Sequence, residues 1–192
     1  MIDVATREYN LTKDISHPNI IRMHNAFYNG LKQTTFIVMD YVEGISLAEY
    51  VRTAKPLPDN VVISIFRQLV SAVEYLHRRL NICHRDLNPN NILISGGDDP
   101  KVTIIDFNVA KRFRDPVDHN PLLMMTNTGQ PQYRAPEMVS NPMQSYDSKV
   151  DVWSLGAVLY FLLSNGKHAF DGQFDEEIED AIMAGKYDHE PL

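Results

Sequence analysis

His84-Arg85-Asp86-Leu87-Asn88-Pro89-Asn90-Asn91 is the stretch on which the reading of this chain turns. It sets a carboxylate, Asp86, and an amide, Asn91, on one short polar segment. Upstream, Val62, Ile65, Phe66, Leu69, Val73 and Leu76 recur at helical spacing and predict a helix over 60–79. Downstream, the β-rich runs 91–95 and 101–105 flank Ser95-Gly96-Gly97-Asp98-Asp99-Pro100, the pattern of a hairpin. The segment is therefore a loop between a long helix and a strand. A second carboxylate, Asp106, ends that hairpin.

Taken singly, each Asp or Asn here reads as a turn residue. Together they are the set phosphoryl transfer needs. One carboxylate orients the attacking hydroxyl or accepts its proton, while an amide and another carboxylate hold magnesium, a hard cation that prefers oxygen. The series continues in order with Asp106-Phe107, Ala135-Pro136-Glu137 and Asp151-Val152-Trp153-Ser154-Leu155-Gly156. Short motifs gain meaning from such context.

Working outward, residues 3–15 read as a helix with Val4, Glu8, Leu11 and Ile15 on related faces, stopped by His17-Pro18-Asn19. Runs 20–28 and 34–41, with Asn29-Gly30 between them, predict a first hairpin. A short helix is expected over 46–54, with Ser46 as N-cap, and Asp59 is placed to cap the long helix. From 106 to 146 the chain is proline-rich and aperiodic, the mark of a functional or mobile loop. A buried helix follows over 148–164. An acidic one follows over 174–184, where Asp175-Glu176-Glu177 and Glu179-Asp180 read as a solvated face. The fold class is α+β with helices dominant.

On these motifs the chain resembles a eukaryotic-type Ser/Thr protein kinase domain over nearly its whole length. It begins in what corresponds to the family's αC helix and ends near its αG helix. The resemblance implies a partial N-lobe over 1–41 (the αC helix and two strands, with the start of the hinge) and a partial, mainly helical C-lobe over 42–192. It implies Asp86 as catalytic base, Asn91 and Asp106 as magnesium ligands, and Glu8 as the helix glutamate that pairs with an ATP-binding lysine. Met39 would be the gatekeeper, the backbone at Asp40 and Val42 would meet adenine, and Leu93 would lie under the ring. His84 and Phe107 would stack, and Asp151 would anchor the catalytic loop. Glu137 would close the activation segment. Thr126, with Thr128 beside it, corresponds to the usual phosphorylation site, and Arg85 and Lys111 would receive the phosphate. ATP and magnesium are the implied cofactors, a protein hydroxyl the substrate, and an upstream activating kinase a further partner. Pro89 favours the Ser/Thr branch.

Departures from the family pattern are also legible. No Gly-rich loop and no Val-Ala-Ile-Lys strand precede Glu8, so the chain reads as a fragment expected to bind ATP weakly by itself. Asn88 stands where Ser/Thr kinases usually carry lysine, and Gln130 where they carry a threonine that contacts it. Asn108 replaces the glycine of Asp-Phe-Gly, and Thr12 occupies an apolar position of the regulatory stack. These features, with the missing lysine, leave a second reading open: a pseudokinase-like binding or scaffold module. A small-molecule phosphotransferase of the aminoglycoside-kinase type fits Ala135-Pro136-Glu137 poorly.

Composition narrows the classes further. A net charge of −7 disfavours nucleic acid as a partner. The longest apolar stretch, 150–163, is short for a bilayer and contains Asp151 and Ser154. The one cysteine, Cys83, excludes an internal disulfide and is expected to be a buried packing residue. His24, His77, His119, His168 and His189 show no metal-ligand spacing. The expected location is cytoplasmic or nuclear, and no oligomer is implied.

Overall fold

A computed structural model describes residues 4–54, 56–97, 99–140 and 144–189. The expected helix start at Asp3, and Asp98 of the second turn, lie outside them. Within them the architecture is α+β, with helices dominant and three small antiparallel sheets.

Helix α1 spans Val4–Thr12 and ends sooner than periodicity predicted. The chain leaves it at Lys13, and Ile15 N–H bonds Thr12 O instead (2.9 Å). Strands β1 (Met23–Asn29) and β2 (Thr34–Met39) form the first hairpin. Asn29 Oδ1 closes the turn by accepting the Leu31 and Lys32 amides at 3.0 and 3.1 Å.

Strand β3 (Ile45–Ser46) leads into α2 (Leu47–Thr53), capped as expected: Ser46 Oγ accepts Glu49 N–H at 3.2 Å. Helix α3 (Asp59–Leu80) is the central element. It buries Val62, Ile65, Leu69, Ala72, Val73 and Leu76 along one stripe. Each large side chain on it contributes about 1.5–3 kcal/mol of burial. Its N-cap is Pro58 rather than Asp59; Asp59 is the first helical residue, where its charge meets the positive end of the helix. At its other end Asn81 adopts a left-handed conformation that stops the helix.

Strands β4 (Ile82–Cys83) and β7 (Lys111–Arg112) pair with each other, and β5 (Ile92–Ser95) pairs with both β3 and β6 (Lys101–Ile104). The two-residue strands β3 and β4 escaped sequence reading because so short a run carries no periodicity. After β7 come a single 3₁₀ turn at Pro131–Tyr133, α4 (Pro136–Val139), α5 (Lys149–Leu163) and α6 (Asp175–Ala184). The main core joins α3, β5, β6 and α5 with Ile15, Ile20 and Ile21. A separate cluster of Cys83, Met124, Ala135, Met138, Tyr146 and Val150 fastens the long loop to α5.

Candidate active site

The segment 84–91 runs from β4 to β5, and its backbone is held from behind by one side chain. Asp151, fully buried in the first turn of α5, accepts His84 N–H on Oδ2 (2.8 Å) and Arg85 N–H on Oδ1 (2.8 Å). Oδ2 also meets His77 Nε2 at 2.7 Å. Burial pushes the Asp151 pKa up, but the His77 bond and charge, with the other donors, more than offset it and hold the carboxyl below its ordinary value. His77, expected to be an ordinary surface or packing residue, is therefore part of the loop's foundation. Cys83 is buried as expected, and burial raises its thiol pKa. Among the described residues, His77, Cys83 and Asp151 form a compact trio of metal-capable groups, but the Asp151 carboxylate is already committed to His77 and to the His84 and Arg85 amides.

His84 is fully buried and stacks edge-on against Phe107, ring centroids 4.7 Å apart. Its Nδ1 accepts Asp86 N–H (3.3 Å) and its Nε2 donates to Ile105 O (3.1 Å). That assignment is the neutral ring, and burial lowers the His84 pKa in agreement. Thr12 is the polar residue at the expected stack position. It is buried with its hydroxyl on Glu8 O (2.7 Å) and Met23 Sδ (2.9 Å), so the polar substitution is satisfied internally.

Asp86 sits at the centre. Its Oδ1 accepts Asn88 Nδ2 (2.8 Å) and Gln130 N–H (3.1 Å), and its Oδ2 accepts Asn91 Nδ2 (2.9 Å). A carboxylate offers about four lone-pair sites, so three protein donors leave one for an incoming hydroxyl. Asn88, almost wholly buried, bridges the loop by accepting Asn90 N–H on Oδ1 (2.9 Å). The two departures, Asn88 and Gln130, thus meet on one oxygen, Asn88 through its side chain and Gln130 through its backbone. Gly129, beside Gln130, has φ +86°, and a Cβ there would lie 2.7 Å from Arg85 O.

Asn91 lies opposite Ile105, whose N–H bonds Asn91 O (3.0 Å), so Asp106 follows directly. With Asn91 Nδ2 given to Asp86, its oxygen and the Asp106 carboxylate supply the hard donors a magnesium ion takes. Asp106 and Arg85 both have positive φ, +61° and +68°, a conformation uncommon for non-glycine residues and found at functional sites. Asn108, in the place of glycine, donates its N–H to Asp106 Oδ1 (3.2 Å).

A cleft of about 510 Å³ brings together Glu8, Met39, Asp40, Val42, Leu93 and Asp106, joined by Ile21, Tyr41 and Ile105. Met39, Asp40, Val42 and Leu93, the residues expected at the adenine, share that lining; Asn91 is not part of it. Asp40 N–H is spent on Arg22 O (3.0 Å), leaving its carbonyl and the Val42 amide for a ligand. His24, expected at the surface, pairs with Asp40 Oδ1 at 2.6 Å. Glu8 Oε1 accepts Phe107 N–H (3.1 Å). Burial raises its pKa, the Phe107 bond lowers it, and the nearby Asp106 charge raises it again, for a net upward shift.

On the long loop, Thr126 is exposed and Thr128 half-buried. The two cations expected to serve them are engaged elsewhere: Arg85 with Val109 O and the Tyr146 hydroxyl, Lys111 with Leu123 O (2.8 Å). Glu137 lies in the first turn of α4. Glu179, expected on a solvated face, instead pairs with Arg134 Nη1 at 3.0 Å, while Arg134 Nε holds Gly129 O (2.9 Å). Sequence reading missed Arg134, Glu179 and Tyr146 because their partners are 20 or more residues away.

A family model described as the protein kinase domain matches residues 2–189. A probable serine/threonine-protein kinase of Dictyostelium discoideum is 36% identical over 186 residues, covering 96% of this chain and 21% of its own length. Human serine/threonine-protein kinase ULK3 is 34% identical over 185 residues, covering 96% of this chain and 37% of its own. The Xenopus laevis ULK3 protein is 34% identical over 179 residues, covering 93% and 36%. The chain thus spans well under half the length of these curated relatives.

Proposed function

The chain belongs to the protein kinase domain family, and from that premise we propose that it transfers the γ-phosphoryl group of ATP to a serine or threonine hydroxyl of a protein. Asp86 orients the hydroxyl, and Asn91 and Asp106 hold magnesium. The metal would neutralise charge on the β- and γ-phosphates. The observation that carries this reading is the Asp86 carboxylate, held by Asn88, Asn91 and Gln130 with one acceptor site left over.

The cleft supports the nucleotide half of the reading. Leu93 and Val42 offer apolar faces to a base, and the Asp40 carbonyl and Val42 amide offer the complementary hydrogen bonds. Glu8 rests on Phe107 N–H at the cleft's inner end, where a lysine would find it. A cytoplasmic or nuclear setting accords with the single cysteine. Among the described residues no helix is long and apolar enough to cross a membrane. An activating kinase would find the Thr126 side chain exposed.

The test is magnesium-dependent phosphotransfer to a generic protein substrate. It is run on the chain and on the chain completed with a Gly-rich loop and lysine strand of the kinase type. Transfer to serine or threonine by the completed chain, abolished by Asp86→Asn, is the expected result. Intact transfer in that variant would refute the role of Asp86. No transfer at all, with ATP still bound, would favour a binding or scaffold module.

A further inference from the structure

Arg85, expected to receive a phosphate on the long loop, already has three of its five guanidinium N–H donors engaged. Nε and Nη2 both donate to Val109 O, and Nη1 donates to the Tyr146 hydroxyl at 3.1 Å. That hydroxyl in turn donates to Thr126 O at 2.7 Å. Tyr146 makes a second attachment through its backbone, donating N–H to Met124 O at 2.9 Å across an isolated bridge. Met124 is fully buried and Tyr146 8% exposed, in one cluster with Cys83 and Val150. Tyr146 lies just before α5, whose Asp151 holds the Arg85 amide.

We infer that Tyr146 is a positioning residue that takes the place of an activation-segment phosphate, its hydroxyl tying Thr126 to Arg85 and so to the catalytic loop without modification of Thr126. The chemistry of these contacts favours this. A phosphate orders such a loop by giving arginine an acceptor. Here a phenol oxygen is that acceptor, and the same group's proton satisfies a loop carbonyl, a pairing a phosphate dianion cannot make. Burial raises the phenol pKa and outweighs the opposing pull of Arg85, so the group keeps its proton. An arginine–phosphate bond has both partners charged, whereas the arginine–phenol bond has one. The clamp is therefore weaker than a phosphate, but it is permanent. The Thr126 side chain takes no part in it; only its carbonyl does.

The consequence for catalysis follows from Gln130. Four residues beyond Thr126, its amide bonds Asp86 Oδ1. A segment released at Thr126 loosens one of the three donors that orient Asp86. The consequence for rate rests on the kinase reading; the structural clamp does not.

The test is amide hydrogen exchange on the chain as it stands, read at Tyr146 and Gln130, whose N–H groups bond Met124 O and Asp86 Oδ1. Tyr146→Phe keeps the ring and removes the hydroxyl, and about a 10-fold acceleration at both amides is expected from the lost bond. Thr126→Ala leaves both rates at wild-type values. Arg85→Lys removes the other end of the clamp, and the double variant Arg85→Lys/Tyr146→Phe exchanges no faster than the faster single variant. Wild-type exchange in Tyr146→Phe, acceleration in Thr126→Ala, or additive effects in the double variant would each overturn the clamp. In the phosphotransfer assay on the completed chain, Tyr146→Phe lowers kcat about 10-fold and leaves KM for ATP unchanged. A raised KM with unchanged kcat would overturn the positioning role. Absence of transfer by the wild type bears on the kinase reading alone, because the exchange rates decide the clamp independently.

Discussion

Asp86 and Glu8 are two carboxylates with opposite surroundings. Asp86 lies in a loop whose every neighbour is fixed: three N–H donors on its own oxygens, and Asp151 behind it gripping the two preceding amides. Glu8 sits at the open cleft, with Phe107 N–H as its one hydrogen-bond donor among the described residues and Asp106 near enough to repel it. The hairpin beside it presents Phe27, Phe36, Val38 and Met39 to solvent. The difference separates two tasks. The catalytic loop is held by Asp151 of α5, with His77 of α3 behind it, and by the Gln130 amide of the long loop. The nucleotide side has a lining but no cation to oppose Glu8 among its described lining residues.

The sharpest way to break the contrast is at its rigid end. Asp151→Ala strands the His84 and Arg85 amides and leaves His77 without its acceptor. Losing one partner of a buried charge costs about 3–5 kcal/mol, and the drop should appear in chemical denaturation. The pH dependence has a fixed sign. Because the folded Asp151 pKa lies below its ordinary 3.8, its stabilisation is present above that value and is lost as pH falls through the folded value.

Asp86→Asn comes next. It should lower phosphotransfer by about 10²–10⁴-fold while magnesium–nucleotide binding persists, since the Asn91 side-chain oxygen and the Asp106 carboxylate are unchanged and Asn91 Nδ2 keeps its bond to the residue 86 carbonyl. Asn88→Ala is milder. It removes one donor from Asp86 and the acceptor of Asn90 N–H, costing about 1–3 kcal/mol of stability in denaturation. A larger penalty from Asn88→Ala than from Asp151→Ala would reverse the ranking of supports proposed here.

The smallest effect belongs to Glu8→Gln. The folded Glu8 pKa is raised, so the folded state holds its proton more tightly, and stability falls as pH rises from 4.5 through the raised value. Glutamine keeps an acceptor for Phe107 N–H and removes the charge. The melting temperature at neutral pH should stay level or rise slightly, whereas a clear fall would mean that a cation in the fold opposes Glu8.

The rigid side was legible in the sequence from its own elements. The long periodic helix and the two hairpin runs enclosed 84–91, and the order of the later motifs placed Asp106 and Asp151 around it. What stayed hidden shares one physical cause. Tyr146 to Thr126, Arg134 to Glu179 and His77 to Asp151 are contacts between residues distant in the chain, each made by a residue type that is ordinary at a surface. No local period marks such a pair. Helix ends failed for another reason: the end of α1 at Thr12 is set by the turn at Lys13, not by its apolar pattern. Glu179 shows the limit of composition, since an acidic run read as one solvated face contains a residue committed to Arg134.

The most direct test of the account is the phosphoamino-acid content of a generic protein substrate after incubation with magnesium, ATP and the completed chain, beside its Asp86→Asn variant. The account predicts phosphoserine or phosphothreonine with the wild-type sequence, and a loss of about 10²-fold or more in the variant. Equal labelling by the two proteins, or label on tyrosine alone, would contradict it.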